Sequence, residues 1–219
     1  MPSGCKFLIA DDHPLFRGAL KQALAGFDAP EIMEAGNFAD TKSRVLKHDD
    51  IDLVLLDLTM PGTSGLSGLV ALRALNSAVP VVVVSAHDDV ETIRRALGLG
   101  ASGFISKSAS MEEIRRAVDV VLEGGIFAPP QAELGTEADP LVSDLIQRLH
   151  TLTPQQARVL SMIAEGLLNK QIAYELDVSE ATVKAHVSAV LQKLNVDSRT
   201  QAVILLSRIG SEPMQPTAL

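Results

Sequence analysis

Residues 53–65 read LVLLDLTMPGTSG, where a continuous apolar run ends at an aspartate and a Pro-Gly turn follows. Such a run is typical of a strand that is covered on both faces, as strands in parallel sheets are. A buried charge costs free energy unless polar partners or a bound ion compensate it. Asp57 therefore points to a polar site at the edge of the sheet where this strand ends.

Four other strand candidates alternate with helical patterns in the first 125 residues. Together with 53–56, they are 7–10, 31–34, 80–84 and 103–105. The apolar residues between them recur at helical spacing, as Ile114, Ala117, Val118 and Val121 do. The alternation predicts an α/β domain built on a doubly wound, five-stranded parallel sheet.

The rest of the 219 residues has no strand pattern and predicts a second, all-α domain. Residues 126–147 contain Pro-Pro and Asp-Pro pairs and no Lys or Arg, which are linker signals. We therefore predict a first domain over 1–125, a linker over 126–147, a second domain over 148–210 and a tail over 211–219. Helical spacing near the end of the linker predicts a short helix against the second domain, carried by Leu141, Leu145, Ile146 and Leu149.

The net charge of −8 is unevenly distributed along the chain. Residues 1–125 hold 12 basic and 17 acidic side chains, whereas residues 148–210 hold 7 basic and 5 acidic ones. The acidity argues against non-specific nucleic-acid binding by the whole chain but allows a binding module at one end.

Cysteine content and hydropathy exclude other classes of protein. The single cysteine, Cys5, rules out an intramolecular disulfide and a multi-cysteine zinc site. No signal-peptide pattern opens the sequence, and the apolar run at 79–84 is too short to span a bilayer. We expect a soluble, cytoplasmic protein without a membrane partner.

Polar residues stand where the predicted strands end. Asp11 and Asp12 follow the first strand, Asp57 ends the third, Ser85 ends the fourth and Lys107 ends the fifth. The carboxyl ends of parallel strands meet at one edge, so three carboxylates and one ammonium should converge there.

A divalent cation would relieve the repulsion between these carboxylates. Asp12 and Asp57 are natural Mg²⁺ ligands, and the backbone carbonyl of Thr59 could be a third. A carboxylate beside Mg²⁺ can attack a phosphoryl group, whose oxygens Ser85 and Lys107 could hold. Each aspartate alone is explained as well by a helix cap, but the five residues together favour the pocket.

The stretches LIADDHP, LVLLDLTMPGTSG, VVVVSA and GASGFISKSAS resemble the receiver domain of two-component response regulators, over about residues 5–125. The resemblance implies a flavodoxin-like sheet of order 2-1-3-4-5, with Mg²⁺ bound near Asp11 and Asp12 and Asp57 phosphorylated by a histidine kinase. It also implies that Ser85, Phe104 and Lys107 form the switch and phosphoryl-binding set. Ser108 departs from the family, because many receivers have a proline there, usually after a cis peptide bond.

Residues 170–194, KQIAYELDVSEATVKAHVSAVLQKL, predict a short helix, a tight turn and a longer helix that Ser179 caps. This is the helix-turn-helix arrangement, whose second helix enters the DNA major groove. If its valines and Leu194 face inward, the outward residues are Thr182, Lys184, Ala185 and Ser188. Lys184 could bond guanine and Ala185 could contact a thymine methyl group. Candidate phosphate contacts are Asn169, Lys170, Thr182, His186, Lys193 and Arg199. A lone lysine on such a face is more often simply solvated.

Two further caps complete a small helical bundle. Thr153 and Gln156 form a capping-box pattern with Pro154, and Ser198 can cap a last helix. Val203, Leu206 and Ile209 on that helix either close the core or supply a dimer contact.

Residues 149–210 as a whole resemble the LuxR-type domain of the NarL/FixJ family of response regulators. The resemblance implies a transcription factor that binds promoter DNA and dimerises on activation, with RNA polymerase as a candidate partner. Ser188 replaces a lysine-like contact that is usual there, so the base preference does not carry over.

Two other functions remain open on the sequence alone. An Mg²⁺-dependent phosphatase of the dehalogenase-like type would need a second aspartate two residues after the nucleophile, where Thr59 stands. A DNA-binding protein that ignores phosphorylation would use the first domain only as a docking surface, and the intact acidic set argues against it.

Overall fold

A computed structural model describes residues 4–63, 65–133 and 140–210, but not the side chains of 131, 133, 140–143 and 207–210. The predicted tail, residues 134–139 of the predicted linker and Ser64 lie outside these ranges. No helix within them combines the length and the hydropathy needed to cross a membrane.

The first domain is a parallel five-stranded sheet of order β2-β1-β3-β4-β5, as predicted. The strands are β1 (Lys6–Ala10), β2 (Glu31–Ala35), β3 (Leu53–Asp57), β4 (Val81–Ser85) and β5 (Gly103–Ser106). All five predicted strands are confirmed, each within one residue at either end. In β3 every residue is buried, including Asp57, which explains the continuous apolar run.

Five helices cover the two faces of the sheet. They are α1 (Pro14–Leu24), α2 (Phe38–Lys47), α3 (Ser67–Leu75), α4 (Val90–Gly98) and α5 (Met111–Leu122). Helices α1 and α5 pack on the face that carries Phe7, Ile9 and Leu55. Helices α2, α3 and α4 pack on the opposite face, against Leu8 and Val54. Alternate strand residues thus serve two cores, as a doubly wound sheet requires.

The start of the predicted linker belongs physically to the sheet. Phe127 donates its backbone N–H to the Ser102 carbonyl and accepts from the Phe104 N–H, both at 3.0 Å. After a 3₁₀ turn at Pro130–Glu133, the predicted linker helix is confirmed as α6 (Pro140–His150). It packs against the second domain and also against α4, where Ile146 lies over Gly98.

The second domain is the predicted helical bundle. Its helices are α7 (Pro154–Ala164), α8 (Asn169–Glu175), α9 (Glu180–Leu194) and α10 (Arg199–Gly210). Thr153 and Gln156 form the predicted capping box before α7. Ser179 Oγ accepts from the Thr182 N–H at 3.1 Å, and Ser198 Oγ accepts from the Gln201 N–H at 3.2 Å.

The burial of side chains on α10 bears on whether its apolar residues close the core or supply a dimer contact. Leu206 is 5% exposed, and Val203 packs against the core of α7, α8 and α9. These two residues pack into the core of the bundle, which favours the first of the two alternatives, and a dimer contact through α10 stays a prediction. The side chain of Ile209 lies outside the described residues.

The two domains meet where α3 packs against α7, and we call this contact the seam. One apolar cluster runs from the α2–α4 side of the sheet into Leu160 and Leu206. Two cavities of about 290 and 250 Å³ flank the seam, and Val70 lines both. An ion pair of 2.8 Å between Lys42 and Glu165 also joins the domains.

Candidate functional site

The carboxyl ends of the strands bring the predicted polar residues to one pocket. Asp11 follows β1, Asp57 and Ser85 are the last residues of β3 and β4, and Lys107 is the first residue after β5 rather than its end. Asp11, Asp57 and Ser85 are almost completely buried. Buried polar groups of this kind require partners, and the pocket supplies them.

Lys107 links the two buried carboxylates. Its Nζ lies 2.7 Å from Asp11 Oδ2 and 2.9 Å from Asp57 Oδ2. Its partial burial opposes protonation, but the hydrogen bonds to Asp11 and Asp57 outweigh this effect and raise the pKa of Lys107. The ammonium therefore stays charged and holds a position between the two carboxylates.

Asp57 also accepts hydrogen bonds from the residue that opens the turn. The Thr59 N–H lies 3.2 Å from Asp57 Oδ1, and the Thr59 hydroxyl lies 3.1 Å from each carboxylate oxygen. The chain then turns away through Pro61 and Gly62, whose φ of +89° favours glycine. The Thr59 carbonyl as a metal ligand stays a prediction.

The aspartates form a group with the spacing of a metal site. Asp11, Asp12, His13 and Asp57 each offer one ligand atom, and these atoms all lie within 4.8 Å of one another. In an octahedral site with bonds of about 2.1 Å, opposite ligands are about 4.2 Å apart. The group could therefore hold one small divalent cation after its ligand atoms close in by about 0.6 Å at most.

Ser85 and Phe104 occupy the positions that the sequence assigned to the switch. Ser85 is 0% exposed, and its Oγ accepts from the His87 N–H at 3.0 Å, which leaves the hydroxyl hydrogen for another acceptor. Phe104 is 0% exposed and lies in the core on the α2–α4 side of the sheet. Their roles in switching stay predictions.

A hydrogen-bonded network occupies the loop where a proline is common. Ser106 Oγ donates to Asp88 Oδ2 at 2.7 Å and lies 2.7 Å from Ser108 Oγ. The Ser108 N–H in turn donates to Ser106 Oγ at 3.2 Å. These bonds tie the loop that carries Lys107 to the loop that follows Ser85, without a cis peptide bond among the described residues.

The outward face of α9 forms a second candidate site. Of the four residues predicted to face inward, Val183, Val190 and Leu194 are fully buried and Val187 is half-buried. The opposite residues are exposed, namely Thr182, Lys184, Ala185 and Ser188. Lys184 pairs with Glu180 one turn earlier at 3.4 Å, which is a weak surface interaction. The face thus stands clear of the first domain.

The predicted phosphate contacts divide into two groups. Lys170 on α8 is exposed, whereas Asn169 and His186 are half-buried. Lys193 instead donates to the Thr151 carbonyl at 2.6 Å and to Gln156 Oε1 at 2.8 Å. Arg199 donates to the Leu167 carbonyl. The last two residues brace the bundle, so a phosphate would have to compete with these bonds.

Sequence reasoning missed His13 and the Asp88–Ser106 bond. His13 Nδ1 lies 2.7 Å from Asp12 Oδ1, next to residues already chosen as ligands. Its place directly after Asp12 was a usable signal, because imidazole is itself a common metal ligand. The Asp88–Ser106 bond joins the loop after β4 to the end of β5, 18 positions along the chain, and no local pattern reveals it.

Comparisons with known proteins agree with this arrangement. Residues 7–119 match the response regulator receiver domain, and residues 150–206 match the bacterial regulatory proteins of the luxR family. The chain is 44% identical to the glycerol metabolism activator of Pseudomonas putida over 209 residues, which cover 91% of this chain and 93% of that protein. It is 34% identical to the nitrate/nitrite response regulator NarL of Escherichia coli K12, over 90% of this chain and 92% of NarL.

Solved structures agree on the fold. The response regulator RcsB of Salmonella typhimurium aligns with a TM-score of 0.56 at 21% identity, covering 94% of this chain and 99% of RcsB. An RcsB–DNA complex aligns equally well, with a TM-score of 0.56 at 21% identity over 93% of this chain and 98% of that one. The chain therefore belongs to the transcriptional response regulators in which a receiver domain precedes a luxR-type DNA-binding domain.

Proposed function

We propose that a sensor histidine kinase phosphorylates Asp57 and that the modified receiver switches DNA binding by the C-terminal domain. The observation that carries the proposal is the pairing of buried Asp57 with Lys107 at 2.9 Å, at the rim of the sheet. A carboxylate at that rim can act as the nucleophile toward an incoming phosphoryl group.

The residues of the pocket have separate roles in the transfer. An Asp57 oxygen attacks the phosphorus of a phosphohistidine, the P–N bond breaks, and its electron pair leaves with the imidazole. Lys107 can turn from the carboxylates to the oxygens of the new acyl phosphate. Ser85 can donate its free hydroxyl hydrogen to another of these oxygens. Both movements shift loops that the Asp88–Ser106 bond connects.

The donor set suits Mg²⁺, which takes oxygen ligands. Asp11, Asp12 and Asp57 would hold the ion, with the Thr59 carbonyl as a further ligand. When bound, Mg²⁺ supplies positive charge that offsets the repulsion between the carboxylates and an approaching phosphoryl group.

The exposed face of α9 supports promoter recognition in the major groove. The accessible residues there are Thr182, Lys184, Ala185 and Ser188. The domain that carries them has more basic than acidic side chains, unlike the first domain. We infer that the active form is a homodimer, because two modules on half-sites about one helical turn apart bind better than one. RNA polymerase is a further partner of such a regulator.

We infer that the chain turns over no external substrate and only loses its phosphoryl group slowly to water. Thr59 stands where a dehalogenase-like phosphatase needs its second aspartate. Instead of supplying an acid, Thr59 donates hydrogen bonds to Asp57.

Treatment of the purified full-length protein with acetyl phosphate and Mg²⁺ tests the proposal. We expect one phosphate on the peptide that contains Asp57, a rise in sedimentation coefficient toward a dimer, and binding to selected promoter fragments about tenfold tighter or more. Equal DNA binding with and without the phosphate would show that the receiver does not control the module.

The seam suggests how the two domains communicate. The residues of α9 proposed to read DNA are exposed while α3 and α7 are in contact, so separating the domains would not uncover them. We therefore propose that phosphorylation changes the orientation and pairing of the DNA-binding modules rather than exposing α9.

Val70→Asp tests this view of the seam. The new carboxylate would lie between the two seam cavities and should separate the domains, because burying an unpaired charge costs several kcal/mol. Small-angle X-ray scattering should show an expanded monomer, whereas its affinity for a single half-site should stay within about twofold of wild type, since α9 is already exposed. Leu46→Asp, on an exposed part of α2, is the control and should change neither quantity. A large gain in half-site affinity for Val70→Asp would mean that the receiver masks α9.

A further inference from the structure

His13 lies beside the aspartate cluster with its imidazole turned toward the carboxylates. It is the N-cap residue of α1, but its side chain makes no capping hydrogen bond. Instead, Nδ1 lies 2.7 Å from Asp12 Oδ1 and 3.4 Å from Asp11 Oδ1. The side chain is 64% exposed, so it can adjust its position at little cost.

These separations match those between neighbouring ligands of one ion. Adjacent ligands of an octahedral cation with bonds of about 2.1 Å are about 3.0 Å apart. The two distances from His13 Nδ1 lie on either side of that value. All four ligand atoms, including one from Asp57, are within 4.8 Å of one another. Asp12 Oδ1 is buried and accepts no hydrogen bond from the described residues, so it is available to share a bound ion with His13 Nδ1.

A nitrogen ligand changes which ions the pocket prefers. Mg²⁺ is a hard cation that takes carboxylates, carbonyls and water. Imidazole suits the first-row transition metals, and affinity for a given mixed site rises from Mn²⁺ through Co²⁺ to Ni²⁺ and Cu²⁺. Three carboxylates with one imidazole therefore favour a transition metal more than the carboxylates would alone.

We propose that His13 is a direct ligand of the divalent cation in the phosphoacceptor pocket and increases its affinity for transition metals relative to Mg²⁺. The proposal rests on the cation site described under the proposed function. The competing view is that His13 only orients Asp12 by a hydrogen bond, and this would affect all divalent ions alike.

The two views separate when Co²⁺ and Mg²⁺ are titrated by calorimetry into untagged, full-length wild type, His13→Ala and His13→Asn. We expect the affinity of both variants for Co²⁺ to fall about tenfold or more, while their affinity for Mg²⁺ stays within about threefold of wild type. The visible absorption of bound Co²⁺ should also change, because it reports loss of a nitrogen ligand. His87→Ala is the matched control, since it removes another exposed histidine beside the pocket that is not part of the ligand group.

Each outcome decides between the alternatives. Unchanged Co²⁺ affinity in both His13 variants would overturn the proposal, and so would an equal loss for Co²⁺ and Mg²⁺. If wild type bound neither ion but still accepted phosphate, the cation site itself would be wrong, independently of His13. Circular dichroism of the two variants should match wild type, and the more conservative His13→Asn keeps the test valid if His13→Ala disturbs the start of α1.

Discussion

Asp57→Asn should abolish phosphorylation and, with it, the response of DNA binding to phosphodonors. The substitution is nearly isosteric, so the buried end of β3 can keep its packing and the hydrogen bonds from Thr59. An amide oxygen is a far weaker nucleophile than a carboxylate, and no acyl phosphate should form. Mass spectrometry after treatment with acetyl phosphate and Mg²⁺ should detect no added phosphate, a loss of at least about a hundredfold. Sedimentation and affinity for promoter DNA should be the same before and after treatment.

Asp12→Asn is the graded control for this experiment. Asp12 is partly exposed, at 29%, and belongs to the proposed cation ligands rather than being the acceptor. We expect slower phosphorylation that more Mg²⁺ restores, whereas no concentration of Mg²⁺ should restore Asp57→Asn. Phosphate on Asp57→Asn at the wild-type rate would assign the acceptor role to another side chain.

The sheet could be predicted because its strands are buried on both faces. LVLLD and VVVVS read as continuous apolar segments, and alternation with helices fixes a parallel arrangement. The caps at Thr153 and Ser179 were equally visible, because each depends on residues three positions apart. The seam between α3 and α7 was not predictable, because an apolar residue such as Val70 suits a helix–sheet core as well as a contact between domains.

The sequence predicted which residues form the pocket, but not which of their atoms make hydrogen bonds and ion pairs. Strand order brings Asp11, Asp57 and Lys107 together, whereas the bridge from Lys107 to both carboxylates depends on side-chain conformations. The Asp88–Ser106 bond escaped prediction because it joins a loop residue to the end of β5, 18 positions apart in sequence. Lys193 and Arg199 were predicted as phosphate contacts because they are basic residues in the DNA-binding domain. Their carbonyl partners inside the bundle are visible only in the folded structure.

Lys107→Ala should destabilise the receiver strongly when divalent cations are absent. The ammonium lies 2.7 Å from Asp11 and 2.9 Å from Asp57, whose side chains are 1% and 0% exposed. Its removal leaves two buried negative charges facing each other, and breaking such a buried ion pair costs about 3 kcal/mol or more. Urea denaturation followed by circular dichroism, in the presence of a chelator, should show this loss in the free energy of unfolding of the receiver transition.

The response to pH and to Mg²⁺ distinguishes lost charge from lost packing. The pKa of Lys107 is raised in the folded protein, so its contribution is complete below the unfolded value of about 10.4 and is lost only as the pH rises through the folded pKa. The difference in the free energy of unfolding between wild type and Lys107→Ala should therefore be constant from neutral to mildly alkaline pH.

Excess Mg²⁺ should stabilise the variant more than wild type, because it replaces the missing positive charge. Lys42→Ala breaks the more exposed pair with Glu165 and should cost less than about 1 kcal/mol, with no such rescue. If Mg²⁺ stabilised wild type and Lys107→Ala equally, repulsion between Asp11 and Asp57 could not be the cause of the loss.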